Sequence, residues 1–181
     1  MLARCSCGRV EFEAKGKPIL ASACYCDDCQ KASRQLEALP GAPRLLGEDG
    51  GTSYVLYRKD RLVFLKGREL LQDHRVEGEA FTKRVVASCC NSAMYLEYEK
   101  GHWYSLFRDR LAGPLPAVEM RLQTRFKPEA ATLPKDAPAF KAFPPRFILR
   151  LLWARLAMLG TAIAGTTNRR YTSKRGDTDA T

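Results

Sequence analysis

Residues 23–30 read ACYCDDCQ and place three thiols within six positions, in the spacing C-x-C-x-x-C. A second pair of cysteines lies upstream at positions 5 and 7, and a third pair lies downstream at positions 89 and 90. These seven are all the cysteines of the chain. Thiols clustered at short spacing are typical zinc ligands, so we interpret the remaining sequence as the scaffold that brings the three groups together.

The size and composition of the chain indicate a folded protein. It has 181 residues, 45% of them hydrophobic, which is enough for one domain with its own core. Residues 1–4 run directly into the first cysteines, without the apolar stretch of a signal peptide. We therefore expect a cytoplasmic, reducing environment, in which clustered thiols are metal ligands more often than disulfides.

The positive charge of the chain is concentrated at its C-terminal end. The formal net charge is +10, and the last 41 residues carry eight basic and two acidic side chains. A basic patch favours an anionic partner where it is localised. Because these residues lie in a tail without a recognisable nucleic-acid-binding motif, the sequence does not favour a nucleic-acid-binding protein.

Short stretches of alternating polar and apolar residues predict a mainly β body with one helix. The predicted strands lie at 9–14, 19–23, 53–58, 62–65, 70–76, 83–88, 93–99 and 103–107. Asp27 or Asp28 is predicted to cap a helix that runs to about Leu39. Cys24 and Cys26 would then lie in a loop and Cys29 in the first helical turn, where backbone N–H groups favour a thiolate.

Three segments are predicted to follow a first domain of residues 1–112. Residues 113–145 are rich in proline and are interpreted as a loose connector, residues 146–165 as an apolar helix, and residues 166–181 as a disordered basic tail. Two central arginines make a membrane span by this helix marginal. Three interpretations remain open for it: docking onto the protein's own sheet, a homodimer contact, or peripheral contact with a membrane surface.

The cysteines divide into a set of four and a set of three. A structural zinc site takes four protein ligands, whereas a catalytic site takes three and keeps one position open. The closed site is predicted to contain Cys5, Cys7, Cys89 and Cys90. The open site is predicted to contain Cys24, Cys26 and Cys29. The sequence therefore predicts one or two zinc ions.

The order of these motifs resembles the glutathione-dependent formaldehyde-activating enzyme family, also called the GFA/CENP-V domain family. The resemblance is carried by C-x-C-G-x-V-x-F at residues 5–12, by C-x-C-x-x-C at residues 24–29, and by the cysteine knuckle at residues 89–90. It covers roughly residues 4–110. The resemblance implies an Mss4-like β fold with two zinc ions, of which the one held by residues 24–29 is catalytic.

The sequence departs from the family pattern at the knuckle. The family knuckle is C-x-x-C-G, and Ala87 stands at the position of its first cysteine. Cys89 can take over as a ligand, since neighbouring thiolates can share a metal. Asn91 replaces the glycine, and asparagine adopts left-handed backbone conformations more readily than most residues.

Further departures lie around the open site. Tyr25 replaces the family's usual histidine and is interpreted as a shield for the metal, while Arg34 replaces a glycine. Lys31 and Arg34 follow the open site on the helix and are candidates to meet the carboxylates of a glutathione-like ligand, with a solvated helix face as the alternative. Tyr25, Lys31 and Arg34 are thus the predicted substrate-pocket residues.

Two functions of different classes follow. The resemblance implies a zinc-dependent carbon–sulfur lyase-type enzyme, similar to an S-(hydroxymethyl)glutathione synthase. Its partner would be a small thiol such as glutathione, bound as an adduct with formaldehyde or a related aldehyde. The alternative is a non-catalytic, zinc-stabilised binding module whose C-terminal helix associates with a protein or a membrane surface. The altered pocket residues favour the module, and the three retained cysteines favour the enzyme.

Overall fold

The structure is a computed structural model that describes residues 1–77 and 81–173, with helical side chains described up to residue 160. Within these residues it contains eleven β-strands and two α-helices. The strands are β1 (Leu2–Arg4), β2 (Glu11–Ala14), β3 (Leu20–Cys24), β4 (Thr52–Arg58), β5 (Leu62–Lys66), β6 (Leu71–His74), β7 (Thr82–Ala87), β8 (Ser92–Tyr98), β9 (Trp103–Phe107), β10 (Leu111–Ala112) and β11 (Met120–Leu122). The helices are α1 (Asp27–Glu37) and α2 (Pro145–Ser173). The predicted mainly β class is confirmed, and the arrangement is consistent with an Mss4-like fold.

The strands form two sheets. The smaller sheet has the order β10-β1-β2-β5, and the larger has the order β11-β3-β4-β9-β8-β7-β6. Two short 3-10 helices, Lys59–Arg61 and Arg108–Arg110, lead from strands of the larger sheet into strands of the smaller one. These two crossings place the sheets against each other.

The larger sheet is buried on both faces, which explains its apolar strands. On β4, Tyr54 and Leu56 belong to a core that includes residues of α1 and α2. Val55 and Tyr57 belong to a second core, shared with the smaller sheet. Because successive side chains of a strand point to opposite faces, the part of β4 that lies between the two cores is apolar from Tyr54 to Tyr57.

The segment 113–145 is more ordered than the sequence predicts. Within it, β11 adds a parallel edge strand to β3, with Leu122 in register with Cys24. The backbone N–H of Arg121 donates to the carbonyl of Pro138, and that of Phe140 donates to the carbonyl of Arg121. The interpretation as a loose connector is therefore wrong for these residues, which complete the sheet beside a cysteine.

Helix α2 is docked through its first turns. Phe147 and Leu151 are buried in the same core as Leu36 of α1. Arg150 donates from Nη1 to the carbonyl of Ile19 over 2.8 Å, and His102 Nε2–H donates to the carbonyl of Leu151 over 2.7 Å. The expected docking onto the protein's own sheet therefore applies to this end of the helix.

The bounds of α2 differ from those predicted. The helix begins at Pro145 and continues to Ser173, beyond the predicted end at residue 165. The predicted disorder is thus wrong for residues 166–173, and the rest of the predicted tail, 174–181, lies outside the described residues. In the described ranges, none of the helices combines the length and apolar character that a membrane crossing requires.

Candidate metal centres

The three cysteines of the predicted open site lie together, where β3 passes into α1. Their sulfur atoms all lie within 4.8 Å of one another, and the Sγ atoms of Cys24 and Cys26 are 3.5 Å apart. Cys24 is the last residue of β3 rather than part of a loop, and Cys29 lies in the first turn of α1. We call these three residues the three-thiol cluster.

The cap of α1 is a cysteine rather than an aspartate. Cys26 is the N-cap residue, and its Sγ accepts a hydrogen bond from the backbone N–H of Cys29 over 3.4 Å. The prediction that Asp27 or Asp28 caps the helix is therefore wrong. Both aspartates lie inside the first turn, where negative charge stabilises a helix N-terminus. The cap thus ties the start of the helix to a candidate metal ligand.

Hydrogen bonds within the three-thiol cluster concentrate negative charge on one sulfur. Bonds from the thiols of Cys24 and then Cys29 lower the pKa of Cys26 to about 3, and the backbone N–H of Cys29 contributes in the same direction. The bond to Cys26 conversely raises the pKa of Cys24. The cluster therefore carries a thiolate at neutral pH, which is the form that binds metals.

A buried arginine lies next to this thiolate and was not anticipated from the sequence. Arg84 on β7 is 1% exposed, and its charge lowers the pKa of Cys26. Its Nη2 donates to Asp28 Oδ2 over 2.9 Å and to the Asp28 carbonyl over 3.2 Å. The signal that could have revealed it is a basic residue directly before the apolar run Val85–Ala87.

Tyr25 lies between two thiols in sequence but points away from them. Residue 25 continues the alternation of β3, so its side chain emerges on the face opposite to Cys24. Its hydroxyl donates to Asp49 Oδ2 over 2.6 Å and accepts a hydrogen bond from Arg121. The interpretation of Tyr25 as a shield for the metal is therefore wrong, and its ring packs against Gly51 instead.

The two predicted cationic pocket residues also lie elsewhere. Lys31 pairs with Glu77 over 3.1 Å, and Arg34 donates to the side-chain oxygen of Gln30 over 3.2 Å. Both line a surface depression together with Asp27, outside the cavity that the three thiols line. The alternative interpretation, a solvated helix face, describes these two residues.

The four outer cysteines also converge, although they are separated by more than eighty residues in sequence. Their ligand atoms all lie within 4.8 Å of one another. The Sγ atom of Cys89 lies 3.3 Å from that of Cys7, 3.8 Å from that of Cys5 and 3.9 Å from that of Cys90. Cys89 thus occupies a position in the cluster although Ala87 replaces the family's first knuckle cysteine. We call this group the four-thiol cluster.

Two turns build the four-thiol cluster. Asn91 adopts φ 52° in the turn between β7 and β8, as expected for the residue that replaces a glycine there. The hydroxyl of Ser92 accepts from the backbone N–H of Ser6 over 3.0 Å and joins the two turns. The backbone N–H and the guanidinium of Arg9 lower the pKa of Cys7 to about 6. This cluster therefore also favours a thiolate at neutral pH.

Both clusters have the donor set and spacing that zinc requires. A Zn–S bond is about 2.3 Å long, so two sulfurs of a tetrahedral site lie about 3.8 Å apart. The sulfur–sulfur distances of 3.5 Å for Cys24–Cys26 and 3.6 Å for Cys5–Cys7 are close to that value. The four-thiol cluster can close a tetrahedron around an ion, whereas the three-thiol cluster offers three ligand atoms.

The three-thiol cluster faces a cavity of about 390 Å³. The sheet contributes Leu56, Leu96 and Trp103 to its wall, and α2 contributes Phe147 and Leu151. This volume lies within the range of small-molecule sites, which are mostly apolar with a few polar groups. A small molecule bound in this cavity would therefore lie in contact with the candidate metal centre.

Comparison with known proteins supports this interpretation of the cysteines. Residues 1–41 match the family model described as glutathione-dependent formaldehyde-activating enzyme. The predicted resemblance to this family is confirmed. The matched residues of this divergent GFA-like chain include the whole three-thiol cluster and the first two cysteines of the four-thiol cluster. The other two, Cys89 and Cys90, lie outside the match but complete the cluster in space.

The other two comparisons concern curated proteins and solved structures. A search of curated proteins gives no match. Among solved structures, a crystal structure of a Rhodobacter sphaeroides protein from a structural genomics programme aligns with a TM-score of 0.47 and 18% identity. That alignment covers 77% of this chain and 100% of the other.

Proposed function

We propose that the chain is a zinc-dependent enzyme of the carbon–sulfur lyase type, which forms or cleaves the adduct of a small thiol with an aldehyde. The observation that carries this proposal is the three-thiol cluster at the wall of an apolar cavity. Among the residues that the structure describes, that cluster includes no fourth His, Cys, Asp or Glu ligand. Three ligands and an accessible fourth position are the usual arrangement of a catalytic zinc site.

The reaction needs no oxidant or reductant. Cys24, Cys26 and Cys29 would hold the zinc, which would supply the Lewis-acid chemistry that lowers the pKa of an incoming thiol. The thiolate sulfur then forms a bond to the carbonyl carbon of the aldehyde, and the π electrons of the C=O bond move to its oxygen. The oxygen takes up the proton that the thiol released, which gives a hydroxyalkyl thioether. The reverse sequence breaks the carbon–sulfur bond and returns both reactants.

Two side chains of this chain support that chemistry around the cluster. Tyr54 is buried in the cavity wall, and its hydroxyl donates to the Sγ atom of Cys29 over 3.6 Å. Arg84 supplies a buried positive charge next to the thiolates. The mostly apolar lining of the cavity lowers the local dielectric constant, which strengthens these electrostatic interactions. We assign Tyr54 and Arg84 as positioning residues for the ligand sulfurs.

Zinc content and turnover of matched cysteine variants test the proposal. Wild-type protein is expected to contain two zinc equivalents and to consume formaldehyde when a suitable thiol is present. Cys24→Ser should lose one equivalent and all thiol-dependent turnover. The control, Cys89→Ser, should lose zinc from the other cluster but keep the turnover. Full zinc content and turnover in the Cys24→Ser protein would refute the assignment.

A second candidate function rests on the outer face of α2. Large apolar side chains are exposed there, and Trp153 is the most exposed at 69%. The exposed set is Ile148, Leu149, Leu152, Trp153, Leu156 and Leu159. The basic excess of the last 41 residues adds the charge that an anionic surface attracts. We propose an anionic membrane surface as the partner of this face.

Sedimentation with vesicles tests this second function. Wild-type protein should sediment with vesicles that contain phosphatidylserine and not with vesicles of phosphatidylcholine alone. The paired substitution Leu152→Glu and Trp153→Glu should abolish sedimentation, while the metal content stays unchanged. Equal sedimentation of the variant would exclude this face as the contact. A concentration-dependent dimer that the same substitutions disrupt would assign the face to a second copy of the chain instead.

A further inference from the structure

The cavity next to the three-thiol cluster differs from the surroundings that a charged peptide thiol needs. None of its lining residues within the described chain is a lysine, arginine or histidine. The one carboxylate that lines it, Asp28, already pairs with Arg84. The cationic residues expected to bind carboxylates, Lys31 and Arg34, line a surface depression that shares only Asp28 with the cavity. A carboxylate in this cavity would lose its hydration without gaining a cationic partner.

The wall of the cavity suits an apolar body instead. Aromatic rings contribute from two parts of the chain: Trp103 and Tyr98 belong to the sheet, while Phe143 precedes α2 and Phe147 lies in its first turn. The polar atoms on the wall are few, and they include the hydroxyls of serine, threonine and tyrosine. An aryl or branched alkyl group gains apolar burial here and requires no charge compensation.

The first turns of α2 form part of the cavity wall. Ile148 lines the cavity at its rim and is 45% exposed, and Leu151 lines it further inside at 7% exposure. Both residues lie far downstream of the match to the family, which ends at residue 41. This part of the cavity wall is therefore built from a segment that the family match does not include.

We propose that this site takes an uncharged, apolar thiol with an aryl or branched alkyl body, or the aldehyde adduct of such a thiol, in preference to glutathione. The proposal rests on the proposed function, because it names the thiol that the three-thiol cluster would bind. Helix α2 forms the part of the wall that contacts the apolar body of the ligand. The three-thiol cluster lies at the end of the cavity where the ligand's thiol group would bind.

Fluorescence of Trp103 provides the first test. The chain has two tryptophans, and Trp153→Phe removes the one that lies on the outer face of α2. In that zinc-loaded background, the emission of Trp103 should change when benzyl mercaptan binds. Titration should give a dissociation constant for benzyl mercaptan at least about tenfold below that for glutathione. Equal or tighter binding of glutathione would overturn the proposal.

A matched pair of substitutions on α2 provides the second test. Ile148→Arg places a cation at the rim of the cavity, whereas Leu149→Arg places the same cation on the neighbouring residue, which is 54% exposed and does not line the cavity. Ile148→Arg should weaken benzyl mercaptan binding about tenfold and strengthen glutathione binding. Leu149→Arg should change neither. Equal affinities of the two variants for benzyl mercaptan and for glutathione would refute the assignment of Ile148 to the wall of the binding cavity.

An oxygen analogue separates this proposal from the proposed function. Benzyl alcohol lacks the thiol, so its binding to metal-free Trp153→Phe protein measures the apolar cavity alone. Benzyl alcohol binding without any thiol-dependent turnover would support the ligand class and reject the enzymatic function. If turnover requires glutathione and benzyl alcohol leaves the Trp103 emission unchanged, the enzymatic function is supported and the preference for an apolar thiol is rejected.

Discussion

Arg84 Nη2 donates to Asp28 Oδ2 over 2.9 Å, and this ion pair connects β7 to the first turn of α1 beside the three-thiol cluster. The Nε and Nη1 atoms of Arg84 are buried and have no hydrogen-bond partner among the described residues. A divalent zinc ion with three thiolates has one surplus negative charge. The guanidinium of Arg84 therefore has a counter-charge when the cluster is metallated.

We expect Arg84→Met to weaken metal binding at the three-thiol cluster by about 10- to 100-fold, as loss of an outer partner of a metal site usually does. The reason is the loss of the charge that stabilises the thiolates. Arg84→Lys keeps the charge and should retain most of the affinity. Competition with a chromophoric chelator measures both variants, and equal zinc affinity of Arg84→Met and wild type would contradict the prediction.

Cys26 is both a candidate ligand and the N-cap of α1, and two substitutions separate these roles. Cys26→Ala removes the ligand and the cap, whereas Cys26→Ser removes the thiolate but keeps a good capping group. In metal-free protein, Cys26→Ala should be less stable than Cys26→Ser by about 0.5–2 kcal/mol. Urea denaturation provides the measurement. Equal stability of the two variants would mean that the cap contributes nothing.

Tyr25→Phe should reduce stability without changing zinc content. The substitution removes the hydroxyl that donates to Asp49, which costs about 1–2 kcal/mol for a buried hydrogen bond. Tyr54→Phe is the matched control, because the hydroxyl of Tyr54 donates to the sulfur of Cys29. Chelator competition should show weaker zinc binding for Tyr54→Phe only. Weaker zinc binding in Tyr25→Phe would place its ring near the metal after all.

Chelation of zinc should lower the thermal stability of the protein. The four-thiol cluster joins the turn before β2 to the turn before β8, so its metal closes a long loop between two parts of the fold. Cys89→Ser should lower the melting temperature of the zinc-loaded protein and leave that of the chelated protein nearly unchanged. Thermal denaturation followed by circular dichroism tests this, and a loss of equal size in the chelated protein would contradict it.

Acidification should weaken the contact between His102 and α2. Burial lowers the pKa of His102 below its usual value of about 6.5. The unfolded chain then binds a proton before the folded chain does, so stability is complete above about pH 6.5 and falls as the pH drops below it.

The substitution His102→Gln tests this pH dependence. Its side-chain amide can still donate to the carbonyl of Leu151, but it does not titrate. The stability loss between pH 7.5 and pH 5.5 in urea denaturation should therefore be smaller in the variant than in wild type. The remaining histidine, His74, has its pKa lowered by burial as well and is present in both proteins. Equal pH dependence of the two proteins would exclude His102 as its source.

Short-range patterns in the sequence were sufficient for most strands and for the grouping of the cysteines. Short apolar or alternating runs predicted most strands, and the spacing of the thiols predicted that Cys24, Cys26 and Cys29 would converge. The strand β11 was missed because it has only three residues and pairs with β3 across almost a hundred residues. Parallel pairing of this kind leaves no local signal.

The pocket residues were not predictable by proximity in sequence. Tyr25 adjoins two thiols in sequence, yet strand alternation turns its side chain to the opposite face. Lys31 and Arg34 follow the thiols on α1, but their side chains face solvent. The wall of the cavity comes from Trp103 and Phe147, which only the fold brings to the cluster. Long-range packing therefore decides the chemical environment of the site.

The pairing of β11 with β3 determines how this protein can be shortened. A fragment that ends at residue 112 would retain all seven cysteines but would leave the backbone donors and acceptors of Leu20–Cys24 without their neighbour on that side. Open strand edges recruit other chains, which leads to self-association. Segments remote in sequence from the thiols thus protect the strand that carries Cys24, and an autonomous minimal domain must extend at least to residue 122.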